Sequence, residues 1–265
     1  MINKSIGFIG CNNMSGAILQ GILVSKIVSK EKIYVYDISP TVTSRVKAMG
    51  VQVVGSNKEL CAKSDIIILG TKPQHAREAL SQCEGWLNGK ALVSIVAGIT
   101  IKRLQEMVIG KPRVLRTMPN TPAMVSAGVT IFCRETDLLT EERLVITEVF
   151  GVLGTVEWMD EKLINAAAAI SGSGPAYVAM FIEALADGGV KNGLSREVAY
   201  RLATRTFFGS AKLLLERGMH PGELKDMVTS PGGTTIEGVE ALEKGGMRYA
   251  IMDCVNVATE KASKL

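Results

Sequence analysis

The sequence predicts an α/β domain built on a parallel β-sheet, followed by an all-α domain. In the first 160 residues, short β-branched runs alternate with amphipathic stretches, which is typical of parallel strands linked by helices. After Trp158 these runs give way to long segments rich in alanine, leucine and glutamate, which indicate helices. The 265 residues, 47% of them hydrophobic, suffice for two domains. We therefore predict the domains 1–160 and 161–265.

Each element is predicted from its own local pattern. Short apolar runs predict strands at Ser5–Ile9, Ile33–Tyr36, Val51–Val53, Asp65–Leu69, Ala91–Ile95, Arg113–Thr117, Val129–Cys133 and Val156–Trp158. Amphipathic stretches between them predict helices at Gly16–Ser25, Thr43–Met49, Glu59–Lys63, His75–Cys83, Ile101–Met107 and Glu141–Leu153. Helices of the second domain are expected at Glu161–Ile170, Ala176–Val190, Arg196–Glu216, Ile236–Glu243 and Tyr249–Lys261.

The composition narrows the functional classes. The net charge is only +4, and lysine and arginine are scattered among acidic residues, which argues against a nucleic-acid binder. Five cysteines, an odd number without a CxxC pair, indicate reduced cytosolic thiols rather than a disulfide framework or a zinc site. With only two histidines, a histidine-rich metal site is also not expected.

Two apolar segments bear on membrane association. The run Ser5–Ile9 is interrupted at once by a glycine-rich turn, so it does not have the pattern of a signal peptide. The stretch Leu163–Ile182 carries no charge, but Ser171-Gly172-Ser173-Gly174-Pro175 lies in its middle. We read this as two buried helices joined by a turn, with Pro175 in the first turn of the second helix. A soluble, cytoplasmic protein is expected.

A glycine-rich turn follows the first predicted strand. It reads Gly10-Cys11-Asn12-Asn13-Met14-Ser15 and leads into a helix, the context in which a helix N-terminus binds a pyrophosphate. Gly10 allows the tight turn. The position where a second glycine is usual holds Asn12, which tolerates left-handed backbone angles best among other residues and would direct its side chain toward the phosphates. The small Ser15 suits close packing of helix on strand. An ordinary βα turn in a domain that binds another ligand remains the alternative.

Asp37 ends the second predicted strand. An acidic residue at this position accepts hydrogen bonds from the adenosine ribose and repels a 2′-phosphate, which favours NADH over NADPH. Arg45 lies close enough in sequence to weaken that preference. The alternative interpretation of Asp37 is a solvated acid at a strand end.

Three polar loops follow strands of the predicted sheet. They are Thr71-Lys72-Pro73, Val96-Ala97-Gly98 and Met118-Pro119-Asn120-Thr121-Pro122. Because the carboxyl ends of parallel strands meet at one edge, where ligands of open α/β sheets bind, the three loops predict a cleft.

The helical half contains a second candidate binding segment, at residues 226–237. Thr234 and Glu237 have the spacing of a capping box and predict the start of a helix. Two glycines and several hydroxyl groups immediately precede that helix. Such a segment offers N–H and O–H donors to a small carboxylate, although Thr234 could also serve only as a helix cap.

These motifs resemble those of the pyrroline-5-carboxylate reductase family. The matching pieces are GFIGCNNM, TKP, VAG, MPNTPA, SGSGPAY and LKDMVTSPGGTTIEG, in order across nearly the whole chain. The resemblance implies a Rossmann domain and a helical dimerisation domain, with dimers that assemble further, as in a decamer built from five dimers. It also implies an NAD(P)-dependent oxidoreductase acting on CH–NH groups, which reduces 1-pyrroline-5-carboxylate to L-proline with NADPH or NADH in the last step of proline biosynthesis.

The resemblance also implies site residues. Together with Asp37, the expected cofactor-binding residues are Ile9, Gly10, Cys11, Asn12, Asn13, Met14, Asn57, Thr71, Lys72, Pro73, Ala97, Met118, Pro119 and Asn120, the last three near the nicotinamide. Ser230, Gly233, Thr234 and Thr235 are expected to hold the substrate carboxylate. The chain departs from the family pattern at Asn12, and at Ala168, where some members carry a threonine near the imine.

No acid or base is assigned to catalysis. A protonated imine is already electrophilic, and its reduction to an amine requires no proton during the step. Two alternatives remain open. One is a related reductase acting on a β-hydroxyacid or another cyclic imine, with Lys191 as proton donor. The other is a non-catalytic regulatory relative, suggested by Asn12.

Overall fold

The computed structural model describes residues 2–83 and 85–264, which divide into two compact units. The first unit comprises Met1–Gly172 and Thr259–Leu265, and the second comprises Ser173–Ala258. The predicted division near residue 160 follows the change in sequence pattern after Trp158 and stays a prediction.

The described residues of the first unit form an eight-stranded sheet of order β3-β2-β1-β4-β5-β6-β7-β8. The strands are β1 (Ile6–Ile9), β2 (Ile33–Tyr36), β3 (Gln52–Val53), β4 (Ile66–Leu69), β5 (Ala91–Ser94), β6 (Arg113–Met118), β7 (Gly128–Cys133) and β8 (Gly154–Met159). The order of the strands changes direction between the neighbours β1 and β4. In such sheets ligands bind beyond the carboxyl ends of the strands at this point. The strands lie where the sequence predicts them, within two residues at each end.

One strand departs from the parallel arrangement. Strands β1 to β6 are parallel, but β7 is antiparallel to β6 and parallel to β8. The connection from β6 to β7 contains only a short 3-10 turn, Thr121–Val125. A parallel crossover requires about a dozen residues or more, so this short connection reverses the chain direction.

Two apolar layers cover the sheet. Strands β1 and β4 are buried along their whole length, as expected of strands covered on both faces. Phe8 belongs to a cluster with Ile18 and Ile22 of the first helix. Ile67 belongs to a second cluster, with Leu60 and other residues from the opposite face. The two clusters fix the central strands, and therefore the loops at their carboxyl ends.

Seven α-helices accompany the sheet in the described part of the first unit. They are α1 (Asn13–Ser25), α2 (Pro40–Ala48), α3 (Asn57–Lys63), α4 (Ala76–Ser81), α5 (Ile101–Met107), α6 (Thr140–Gly151) and α7 (Ile164–Ser171). Short 3-10 turns lie at Lys30–Lys32, Pro73–His75, Thr121–Val125 and Glu161–Leu163. The helix predicted from His75 to Cys83 is therefore shorter, because its beginning is a 3-10 turn opened by Pro73.

The second unit is helical. It contains α8 (Gly174–Lys191), α9 (Arg196–Arg217), α10 (Pro221–Met227), α11 (Thr234–Lys244) and α12 (Met247–Ala262), whose last residues belong to the first unit. Its buried apolar cluster is small and consists of Ala186, Ala199 and Ala203. Large apolar side chains on these helices are exposed, among them Met180, Leu202, Phe208, Leu215 and Met252.

The predicted break in the apolar stretch is confirmed. α7 ends at Ser171, and α8 begins at Gly174 with Pro175 in its first turn. The span Glu161–Lys191 is long and apolar enough to cross a membrane, since it contains an 18-residue window with a mean hydropathy of 1.2. It is nevertheless divided among a 3-10 turn, α7 and α8.

All five cysteines are free thiols. Cys11, Cys61, Cys83 and Cys133 are buried, and Cys254 is partly exposed. The described residues contain no group of three or more histidine, cysteine or acidic side chains arranged to hold a metal ion.

Candidate active site

The glycine turn has the tight geometry that its sequence predicts. Gly10 has φ +81°, a conformation that glycine adopts without strain. A Cβ atom at this position would lie 3.2 Å from the carbonyl oxygen of Gly70, at the end of β4. The Gly10 N–H donates to the carbonyl of Tyr36 at 2.9 Å. Gly10 therefore brings the ends of β1, β2 and β4 close together.

Asn12 does not adopt the left-handed conformation expected at this position, where a glycine is usual. Its backbone is extended, with φ −72° and ψ −158°, and it is the N-cap residue of α1. Because Gly10 already reverses the chain, residue 12 requires only an ordinary conformation. Its Nδ2 donates to the carbonyl of Gly70 at 2.9 Å, so the side chain joins two loops instead of extending freely toward a phosphate.

The third position of the turn packs closely, as predicted. Ser15 is fully buried in α1. A Cβ atom at Gly70 would clash with Ser15 Oγ, so Gly70 must be a glycine if Ser15 is to occupy this place. This contact sets the distance of the N-terminus of α1 from the end of β4.

Asp37 is not a free acid at a strand end. Its Oδ2 accepts the Cys11 N–H at 2.7 Å, and its Oδ1 accepts the Ser39 N–H at 2.9 Å. Arg45 donates to the carbonyl of Cys11 at 2.7 Å. The carboxylate and the guanidinium thus hold the glycine turn from both sides. The two N–H groups also fix the position of the Asp37 carboxylate.

A pocket opens at the carboxyl ends of β1, β2 and β4. Seven of the predicted cofactor residues line it: Ile9, Gly10, Asn12, Asp37, Asn57, Thr71 and Lys72. Further lining residues are Tyr36, Ile38, Ser39, Val42, Gly70, His75, Glu78, Ala79 and Gln82. Of these, His75, Glu78, Ala79 and Gln82 are spaced as one helical face. That spacing is visible in the sequence, but only the fold tells that this face meets the pocket.

The pocket has the features of a dinucleotide site. Asn57 Oδ1 and Thr71 Oγ1 are buried and have no hydrogen-bond partner among the described residues, and a ligand would satisfy such groups. The N–H groups in the first turn of α1 have no carbonyl partners within the helix. With the close approach at Gly10, these groups suit the ribose and pyrophosphate of a nicotinamide cofactor.

The other predicted cofactor residues lie outside the lining of this pocket. They are Cys11, Asn13, Met14, Pro73, Ala97, Met118, Pro119 and Asn120. The thiol of Cys11 is buried, which raises its pKa to about 11, and the N–H and carbonyl of Cys11 already bond Asp37 and Arg45. The amide of Asn120 donates to the Ser171 carbonyl at 2.9 Å and accepts the Val129 N–H at 2.8 Å. Asn120 therefore organises the loop after β6, and a direct contact with the cofactor stays a prediction.

In the second unit, the predicted substrate residues lie on an exposed turn. The Gly233 N–H donates to the carbonyl of Ser230 at 3.0 Å, and Gly232 has φ +67°. Pro231 followed by a glycine with positive φ is typical of a type II turn. A Cβ atom at Gly233 would clash with Ser230 Oγ. The turn therefore favours glycine at both positions.

The predicted capping box at Thr234 and Glu237 is wrong. The N-cap of α11 is Gly233, without a side-chain cap, and Thr234 is the first helical residue. Because Thr234 lies one position inside the helix, its hydroxyl is not used as a cap and remains exposed beside that of Thr235. Unbonded N–H groups in the first turn of α11 lie near these hydroxyls, a combination that suits a carboxylate. The capping box of this region is instead formed by His220 and Glu223, which begin α10.

Comparisons with known proteins agree with these features. Residues 161–265 match the family profile described as pyrroline-5-carboxylate reductase dimerisation, and residues 5–98 match that of NADP oxidoreductase, coenzyme F420-dependent. The chain is 42% identical over 266 residues to pyrroline-5-carboxylate reductase of Escherichia coli (strain K12), covering 100% of this chain and 99% of that protein. The chain belongs to the pyrroline-5-carboxylate reductase family. The reductase of Methanosarcina acetivorans is 40% identical over 267 residues, with 100% of this chain and 99% of that protein covered.

Solved pyrroline-5-carboxylate reductases have the same fold. The Plasmodium falciparum enzyme, solved with NADP bound, superposes with a TM-score of 0.91 at 36% identity and covers 100% of this chain and 98% of its own. The enzyme of Streptococcus pyogenes gives a TM-score of 0.89 at 30% identity, with 99% of both chains covered. The predicted class, a Rossmann-type sheet domain followed by helices, is confirmed.

Lys191, named in one alternative, and Ala168, a departure from the family pattern, have defined places in the fold. Lys191 is the last residue of α8 and is exposed. Ala168 lies in α7, where its carbonyl accepts the Gly172 N–H at 2.8 Å. Ala168 has no hydroxyl, so the chain offers no side-chain hydrogen bond to a substrate from this position.

Proposed function

We propose that this protein reduces 1-pyrroline-5-carboxylate to L-proline with NADH or NADPH. The observation that carries the proposal is the full-length identity of 42% to the reductase of Escherichia coli. The pocket at the ends of β1, β2 and β4 supports it, because that pocket offers unpartnered buried polar groups at a glycine turn.

The glycine turn and its surroundings would hold the adenosine and pyrophosphate parts of the cofactor. Backbone N–H groups at the start of α1 would bind the pyrophosphate, and Asp37 and Asn57 would face the ribose. We place the nicotinamide near Met118–Asn120. When bound, the reduced cofactor supplies a hydride.

The carboxylate of the substrate would be held at Ser230, Gly233, Thr234 and Thr235. There the hydroxyls and the first-turn N–H groups of α11 donate to the two oxygens. Hydride adds to the carbon of the protonated C=N bond, and the π-electron pair moves to nitrogen and becomes its lone pair. The product amine already carries its hydrogen, so no side chain has to deliver a proton during this step. Catalysis then rests on orientation, which is worth several kcal/mol.

We also propose that the chain forms a homodimer through residues 161–265 and assembles further into a pentamer of dimers. The dimerisation profile and the exposed apolar side chains of α8, α9 and α12 support this assignment. A partner helix would cover those side chains, so the apolar span Glu161–Lys191 is assigned to the interface and not to a membrane. The small net charge supports an enzyme without nucleic-acid partners, and the five free thiols support a cytoplasmic one.

The test is oxidation of NADH and NADPH by the purified protein, with and without 1-pyrroline-5-carboxylate. We expect oxidation only in the presence of the imine. Gly10→Ala should abolish it, because a Cβ atom would strain the turn and approach Gly70. Gly89→Ala is the matched control, since Gly89 also has positive φ, +66°, but has open space around it. Oxidation that is equal with and without the imine would contradict the proposal.

A further inference from the structure

The orientation of the Asn57 amide is fixed by its neighbours. Asn57 begins α3 and is 3% exposed. Its Nδ2 donates to the backbone carbonyl of Ala79 at 3.3 Å and to Gln82 Oε1 at 2.9 Å. A backbone carbonyl can only accept a hydrogen bond, so the amide nitrogen faces Ala79, and the shorter bond to Gln82 holds it in that orientation. Both N–H groups of Asn57 are then in use.

The opposite end of the same amide is unsatisfied. Asn57 Oδ1 is buried and has no hydrogen-bond partner among residues 2–83 and 85–264, and Asn57 lines the pocket. An amide oxygen only accepts hydrogen bonds. A ligand that satisfies it must therefore offer a donor, such as a hydroxyl group.

The two carboxylates in the lining of the pocket act in the same direction. The carboxylate of Asp37 cannot turn away, because it is held by the N–H groups of Cys11 and Ser39. The lining also includes Glu78. Lys72 is the only lysine or arginine among the described lining residues. Arg45 is not among them, and its guanidinium donates to the carbonyl of Cys11.

We propose that Gln82, by fixing Asn57 as an acceptor, makes this pocket select a dinucleotide with a free ribose 2′-hydroxyl over one with a 2′-phosphate. The inference rests on the proposed function, in which this pocket holds the adenosine part of the cofactor. A 2′-hydroxyl is a donor and matches Asn57 Oδ1. A phosphate near neutral pH offers mainly acceptor oxygens and negative charge, which meet an acceptor amide and the fixed carboxylate of Asp37. Gln82 is a positioning residue in this scheme, and NADH is the preferred cofactor.

The test measures the binding of two fragments without nicotinamide, ADP-ribose and 2′-phospho-ADP-ribose, by calorimetry on the full chain. We expect the wild type to bind ADP-ribose at least about tenfold more tightly, because its 2′-hydroxyl gains a hydrogen bond to Asn57 and avoids the repulsion between a 2′-phosphate and Asp37. Gln82→Met keeps the size of the side chain but frees one N–H of Asn57, so the ratio should fall at least about threefold. Gln82→Glu retains an acceptor for Asn57 and should keep the preference. Gln105→Met, on the exposed face of α5, is the matched control and should leave the ratio unchanged.

A second variant covers the case in which Gln82→Met does not fold. Asn57→Ala should weaken ADP-ribose binding and leave the phosphorylated fragment unaffected. Equal affinity of the wild type for both fragments, tighter binding of the phosphorylated one, or an unchanged ratio in a folded Gln82→Met or Asn57→Ala variant would overturn the inference and leave the proposed function standing. Failure of the wild type to bind either fragment would overturn both.

Discussion

The carboxylate of Asp37 accepts the backbone N–H of Cys11 at 2.7 Å, although the two residues are 26 positions apart. This bond ties the end of β2 to the glycine turn after β1. The residue that sequence patterns assign to ribose binding therefore also shapes the glycine turn.

Asp37→Ala should raise the KM for NADH at least about tenfold, since two N–H groups of the pocket wall lose their acceptor. The loss should appear in KM more than in kcat, because no reacting atom is touched. Asp65→Ala is the matched control: Asp65 accepts the Ser5 N–H at 2.8 Å at the opposite end of the strands. If both variants raised KM equally, the effect would reflect general stability rather than the pocket.

Gly70→Ala should lower the free energy of unfolding by more than about 2 kcal/mol, because its Cβ would clash with Ser15 Oγ inside a packed layer. Ser15→Gly in the same chain should recover part of the loss. The recovery should be incomplete, since the carbonyl oxygen of Gly10 would still lie 3.2 Å from the new Cβ. Denaturant unfolding of the two single variants and the double variant measures this coupling, and strictly additive losses would contradict the contact.

Thr235→Val should raise the KM for 1-pyrroline-5-carboxylate about tenfold and leave the KM for NADH unchanged, because one hydrogen bond to a carboxylate is lost. Thr206→Val is a suitable control in the same unit, since the Thr206 hydroxyl donates to the Leu202 carbonyl of its own helix. Steady-state kinetics with each substrate varied in turn separates the two KM values. Equal increases in KM for both substrates would contradict the assignment of Thr235 to carboxylate binding.

Glu142→Gln should destabilise the protein by about 2 kcal/mol at pH 7, because Glu142 forms a two-point ion pair with Arg113. Burial acts to raise the pKa of Glu142, but hydrogen bonds from Arg113 and the Leu139 N–H outweigh it and hold this pKa below its ordinary value of 4.5. A lowered folded-state pKa stabilises the protein above pH 4.5, and this contribution is lost as the pH falls through the folded value. The difference from wild type should therefore shrink between pH 6 and pH 3. Asp160→Asn, which breaks an exposed pair with Arg134, should cost at most about 1 kcal/mol at neutral pH.

The strands and the glycine turn follow from local sequence. Ile66–Leu69 is a continuous apolar run because both faces of β4 are covered, and Gly10 marks the positive φ of the turn. These features depend on residues that are adjacent in the sequence, so the local sequence predicts them. The reversal of β7 depends on the length of one connection, which the pattern of strands does not reveal.

The details of the site depend on distant partners and could not be predicted. Asn12 bonds a carbonyl 58 positions away, and Asn57 bonds Gln82 25 positions away. The cap of α11 is Gly233, because the turn that begins at Ser230 leaves Thr234 already inside the helix. Matching the spacing of a capping box cannot reveal that shift of one residue.

The buried cysteines can report how often each apolar cluster opens. Cys11 and Cys133 lie in separate apolar clusters, and Cys61 and Cys83 share a third. A small alkylating reagent reaches such a thiol only when the surrounding cluster opens. The labelling rate at each position, followed by mass spectrometry, would therefore rank the two faces of the sheet by how often they open locally. Slower labelling of Cys11 after cofactor addition would show how strongly the ligand stabilises the glycine turn.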